Sequence, residues 1–164
     1  MKTIIPLMLL IVAVAACGRF QTGENAAPAA RPATKVVDIP SLIGKSKDEV
    51  KKSVTKSVSA ETPEELKFDF PDGKLTVSFN EGIGRPIYFA VPRGPDIETA
   101  GASIERLGEF TGIDMKGRTP TKTDPMGTYY ENETLDGKKV RIVFSPTMPG
   151  KDKFYEIRVS PRRN

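Results

Sequence analysis

An α+β fold is predicted by two observations. Six segments between Leu66 and Val159 alternate apolar with polar residues, the pattern of antiparallel strands with one dry face. Two stretches with apolar residues at helical spacing each precede three such segments. The chain therefore reads as a tandem of two helix-plus-three-stranded antiparallel meander units, halves 38–93 and 94–164, with the helices packed on one sheet face.

The first half opens with IPSLIGKSKDEVKKSV. Ser46 followed by Glu49 three residues on is a capping box, which places a helix start at Ser46. Val50, Val54 and Val58 recur every four residues as its buried stripe, with Leu42 and Ile43 packing where the chain enters. Leu66, Phe68 and Phe70 then alternate with Lys67 and Asp69, and Pro71-Asp72-Gly73 makes a turn. Leu75, Val77 and Phe79 form the next strand, and Ile87, Phe89 and Val91 the third, after a glycine-rich loop.

The second half repeats the order. Residues 96–110 are predicted as a helix with Ile97, Ala100, Ile104, Leu107 and Phe110 on one stripe. GTYYENE, a turn at Asp136-Gly137, KVRIVF and KFYEIRV supply three strands. Two echoes point to duplication. Asp72-Gly73-Lys74 leads to Phe79 as Asp136-Gly137-Lys138 leads to Phe144, and IYFAVPR (87–93) resembles IRVSPR (157–162).

Composition narrows the chemistry. The chain of 164 residues has no histidine and one cysteine, Cys17. The usual general base and the commonest metal ligand are thus missing, so Ser-His-Asp and Cys-His sites and familiar zinc sites are excluded. No cofactor and no metal are expected. The net charge of +4 is concentrated early: Lys2, Arg19, Arg31 and Lys35 face only Glu24, which leaves residues 38–164 near balance. The folded part gives no argument for a nucleic-acid partner.

Residues 1–16 are read as a signal peptide: Lys2 precedes an apolar run from Ile4 that ends in small residues. A helix over that run would span only about 20 Å, short of a bilayer core of roughly 30 Å. Val14-Ala15-Ala16-Cys17 resembles the lipobox of bacterial lipoproteins. The resemblance implies cleavage before Cys17, a diacylglycerol thioether on its sulfur and acylation, by palmitate or a similar chain, of its new amine. Two or three such chains hold a protein at a membrane almost permanently. Gly18 resembles the outer-membrane sorting class, with the protein facing the periplasm; in a single-membrane bacterium the address would be the outer face of the plasma membrane. Residues 17–37, rich in alanine and proline, read as the lipidated N-terminus and a flexible linker.

SLIGKSKDEVKKSV further resembles small bacterial envelope lipoproteins, including that of the outer-membrane β-barrel assembly machinery, whose fold recurs in tandem in a β-lactamase inhibitor protein. That resemblance implies the helix-on-sheet fold and no functional residue. The Gly-hydrophobic-Pro signal of these proteins is missing between Val58 and Leu66. IPSLIGKSKDEV also resembles the start of a PASTA repeat, a pattern that FPDGKLTVSF does not continue.

No catalytic residue is expected. Ser53-Val-Thr-Lys56 matches S-x-x-K, but its partner motifs are missing. Glu131 and Glu133, two apart, are expected on one strand face, where paired carboxylates could do acid–base or glycoside chemistry; a charged sheet edge is the favoured account. Gly82-Ile-Gly84-Arg85-Pro86 reads as a turn. Arg162-Arg163 is a basic end that could touch lipid headgroups or anionic polymer, and Asn132-Glu-Thr134 fits a glycosylation sequon. Of Tyr129, Tyr130, Phe154 and Tyr155, one of each adjacent pair should face outward, as partner-binding surfaces favour. The expectation is a lipid-anchored envelope protein that binds or helps assemble a protein partner without catalysis. The alternatives are an inhibitor of an enzyme such as a β-lactamase or lysozyme, and a small histidine-independent hydrolase.

Overall fold

The computed structural model describes residues 34–79, 85–92, 101–149 and 152–162. The elements are α1 (Ile39–Leu42), α2 (Lys47–Ser53), β1 (Val58–Glu61), β2 (Glu65–Phe70), β3 (Gly73–Ser78), β4 (Ile87–Ala90), α3 (Ile104–Thr111), β5 (Lys122–Asp124), β6 (Gly127–Leu135), β7 (Lys138–Pro146) and β8 (Phe154–Pro161). They overturn the expected α+β class. Among the described residues the protein is mainly β, a single eight-stranded sheet in the order β1-β2-β3-β4-β8-β7-β6-β5, with helix at only about 17%. Every pairing is antiparallel. Each expected three-strand run is a four-strand run, and the two join through β4 and β8.

The helices are short for local reasons. Ser46 caps α2 as expected: its hydroxyl accepts from the Glu49 N–H, and the Glu49 carboxylate accepts from the Ser46 N–H at 2.8 Å. Val54 already has extended dihedrals, so α2 stops at Ser53 and Val58 enters β1 instead of a helical stripe. Ala102 is paired with Phe154 in an isolated bridge, and Ser103 then caps α3 through the Arg106 N–H. Helix therefore begins at Ile104; residues 96–100, where it was expected to start, lie outside the described residues. Gly112 at φ 72° ends it.

Alternation sorts the sheet into two faces. Leu66, Phe68, Leu75, Val77, Ile87, Phe89, Val140, Ile142, Phe144, Ile157 and Val159 form one buried face. Ile39, Leu42, Val50, Leu107 and Phe110 from the helices join the same cluster. The Phe89 and Phe110 rings lie 6.3 Å apart, and Phe144 meets Tyr130 and Phe154 edge-on. Gly73 fits beneath Phe89, where a Cβ would stand 2.6 Å from the ring. Asp136 and Gly137, at φ 48° and 72°, form the tight β6–β7 turn that an Asp-Gly pair specifies.

The N-terminal segment ties the runs together. The Val36 and Val37 N–H groups donate to the Phe110 carbonyl at 2.9 and 3.0 Å, satisfying an acceptor at the end of α3. Lys138 Nζ donates to the Ile43 carbonyl at 2.6 Å.

Candidate functional site

The second sheet face presents the candidate site. Cross-strand registers align Lys67, Thr76, Tyr88, Arg158, Val143, Tyr129 and Lys122 in one row from β2 to β5. Directly paired residues share a face and stand side by side. Val143 is only 3% exposed yet stands outside the core cluster, because its neighbours on this face shelter it. The buried side chains of α1, α2 and α3 all belong to the opposite face, so no described helix covers this one.

Tyr129 organises one end. Its hydroxyl donates to Asp124 Oδ1 at 3.4 Å. The Arg141 guanidinium lies 5.1 Å from its ring centroid and Lys122 Nζ 5.4 Å, both in the range of cation–π attraction. Arg141 Nε also reaches Glu131 Oε1 at 2.8 Å, and Arg162 pairs with the other carboxylate oxygen. Lys122 holds Asp124 at 2.6 Å; its hydrogen bond leads the effects that keep the Asp124 carboxyl below its usual range, while Asp124 in turn raises the Lys122 ammonium. Tyr88 and Arg158 are paired across β4 and β8, where the two runs meet.

The expected carboxylate pair is taken apart. A bulge between Tyr130 and Glu133, with Asn132 at φ 59°, inserts one residue and reverses the alternation. Glu131 meets Arg141 and Arg162 on the open face, whereas Glu133 stands opposite Val140 and pairs with Arg118 on the other. Ser53 and Lys56 are not brought together. Ser53 closes α2, donates to the Glu49 carbonyl and accepts from Lys45, both at 2.7 Å, while Lys56 lies beyond the helix.

The aromatic pairs divide unevenly. Tyr129 faces out and Tyr130 is 4% exposed, with burial chiefly, and Glu105 and Glu133 secondarily, raising its hydroxyl pKa. Phe154 is buried and Tyr155 half-buried against the core, because the β7–β8 register shifts at Tyr155, between the Ser145–Glu156 and Pro146–Phe154 pairs. Asn132 of the sequon is exposed at the bulge. Cys17, Gly82, Gly84 and Arg163 lie outside the described residues. Tyr88 and Arg158 were not singled out by sequence. Alternation in IYFAV and EIRV points both outward, but only the β4–β8 pairing makes them neighbours.

Two clefts flank α3 on the other side. One of about 500 Å³ lies among Glu105, Asp124, Thr128, Asp152 and Phe154, and one of about 610 Å³ among Glu109, Ile113, Asp114, Met115 and Arg118. No group of three or more His, Cys, Asp or Glu side chains among the described residues could hold a metal ion. No helix among them is long and apolar enough to cross a membrane. No protein-family model, curated protein or solved structure matches the chain.

Proposed function

We propose that this is a lipid-anchored bacterial envelope protein whose sheet module acts by contact, as a binding or assembly-accessory subunit. Residues 1–16 are the signal peptide, Cys17 carries the lipid, and the alanine- and proline-rich segment after it is a leash. The address lies in an outer membrane, facing the periplasm, and the partner is an envelope protein. The observation that carries the contact role is the half-open sheet: helices cluster with one face only, while the other presents Tyr88, Arg158 and Tyr129 in one row. Tyrosine and arginine are the side chains that most often anchor protein interfaces. An enzyme inhibitor would use the same face, and the identity of the captured partner separates the two roles.

The anchor is tested first. Cys17→Ala should move the protein from the membrane fraction to the soluble one, and mass spectrometry of the native chain should find Cys17 acylated at its N-terminus. A native chain that is soluble with Cys17 bare would remove the proposal. Crosslinking in native membranes then identifies the partner.

A further inference from the structure

The open face holds one unanswered charge. Six charged side chains are half-buried in it: Glu65, Asp124, Glu131, Arg141, Glu156 and Arg158. Glu65 pairs with Lys67, Asp124 with Lys122, and Glu131 with Arg141. Glu156 is engaged as well. Arg158 alone has no ion pair, hydrogen bond or ring contact with the described residues, although it sits on β8, fourth from one edge of the sheet and fifth from the other. Its flanks are Tyr88 on β4 and Val143 on β7, with Tyr129 one strand further. At about 4.8 Å between strands, the row from Tyr88 to Tyr129 is about 14 Å long, enough to seat one helix of roughly 10–12 Å diameter.

Any occupant of that row completes the burial of Arg158. Burying an unpaired guanidinium is strongly unfavourable, so the occupant must bring an acceptor of opposite charge. A planar carboxylate meets the guanidinium fork with two parallel hydrogen bonds. A polyanion is a poorer match, because its affinity comes from many uncompensated cations and this face offers one that is half-buried. Resting on the reading of this face as the docking surface, we propose that Arg158 anchors a carboxylate of a protein partner, on an apolar bed of Tyr88, Val143 and Tyr129.

The test uses the full-length chain in native membranes with a photocrosslinking amino acid in place of Ser160, which shares the face two residues along β8. The expected result is one crosslinked protein whose attached peptide contains Asp or Glu. Arg158→Glu should cut that crosslink by about tenfold or more, the loss typical of a central interface arginine. Replacing the partner's acid by Lys should restore it. Arg158→Gln, which removes the charge without reversing it, should show the same loss, and the melting temperature of both variants should stay close to the native value because the Arg158 side chain makes no ion pair or hydrogen bond with the described residues. Crosslinking that persists undiminished in both variants would overturn the Arg158 anchor while leaving the docking face standing. No protein crosslink from position 160 would overturn both. Binding to phosphatidylglycerol vesicles that disappears with Arg158→Gln would assign the arginine to lipid phosphate and overturn the protein carboxylate.

Discussion

Two backbone positions show how single residues set this architecture. At Gly73 the Phe89 ring occupies the space that any side chain would need, with the Ala90 carbonyl oxygen 2.7 Å from an added Cβ. Neither can retreat: Phe89 is fully buried, and Ala90 is held in the β3–β4 ladder. Gly73→Ala should therefore cost about 1–3 kcal/mol, the usual range for overpacking, read as a lower urea midpoint with an unchanged slope. Asn132 illustrates the opposite constraint. Its φ of 59° suits asparagine and glycine and penalises a β-branched residue by about 1–2 kcal/mol. Asn132→Val should lower stability by that amount, while Asn132→Gly stays near native, both by thermal denaturation. The larger effect of the bulge is chemical. It turns two carboxylates that alternation would have aligned into members of separate ion pairs, so the pattern suggesting acid–base catalysis dissolves at one inserted residue.

Among the elements, the long alternating strands and the Asp136-Gly137 turn were legible, because apolar residues two apart on a half-buried sheet leave little choice of register. The Ser46 cap was legible for a similar reason, its two reciprocal hydrogen bonds being fixed by spacing alone. The edge strands were not. β1 is almost wholly exposed and β5 is three residues of Lys, Thr and Asp, so neither carries an apolar face to read. The first helix was overextended because valines four apart also fit a helix that stops and a strand that starts. Of the candidate site, outward orientation was readable at Tyr129, whereas the Tyr88–Arg158 neighbourhood depends on pairing residues far apart in the chain. α2 also carries a pH signature. The Ser46 hydroxyl, followed by its N–H, lowers the Glu49 pKa from 4.5, and Lys51, followed by Lys47, lowers that of Glu61. Carboxyls lowered in the folded state stabilise it above their unfolded value, and the benefit disappears as the pH falls through the lowered one. Stability should decline below about pH 4.5, and Glu49→Gln with Glu61→Gln should flatten that decline in urea titrations from pH 6 to 3.

At the scale of the whole molecule, the sheet is continuous across β4 and β8, and one hydrophobic cluster runs beneath both runs. Ile87, Phe89, Ile157 and Val159 face one another at that seam, each 1% exposed or less. Neither run can expose this seam without losing core, so unfolding should be a single transition with equal calorimetric and van't Hoff enthalpies. Amide hydrogen exchange should be slowest in β4 and β8 and fastest in β1 and β5. The two hydrogen bonds from Val36 and Val37 to Phe110 have a mechanical meaning as well. Tension travelling along the chain from its N-terminal side reaches this clasp before α1 or any strand, and the clasp grips the far end of α3 in the second run. A tug would thus be shared between the two runs, and the sheet would stay intact until the clasp tears. Optical-trap pulling from the N-terminus should record that rupture as a small early step ahead of the main rip.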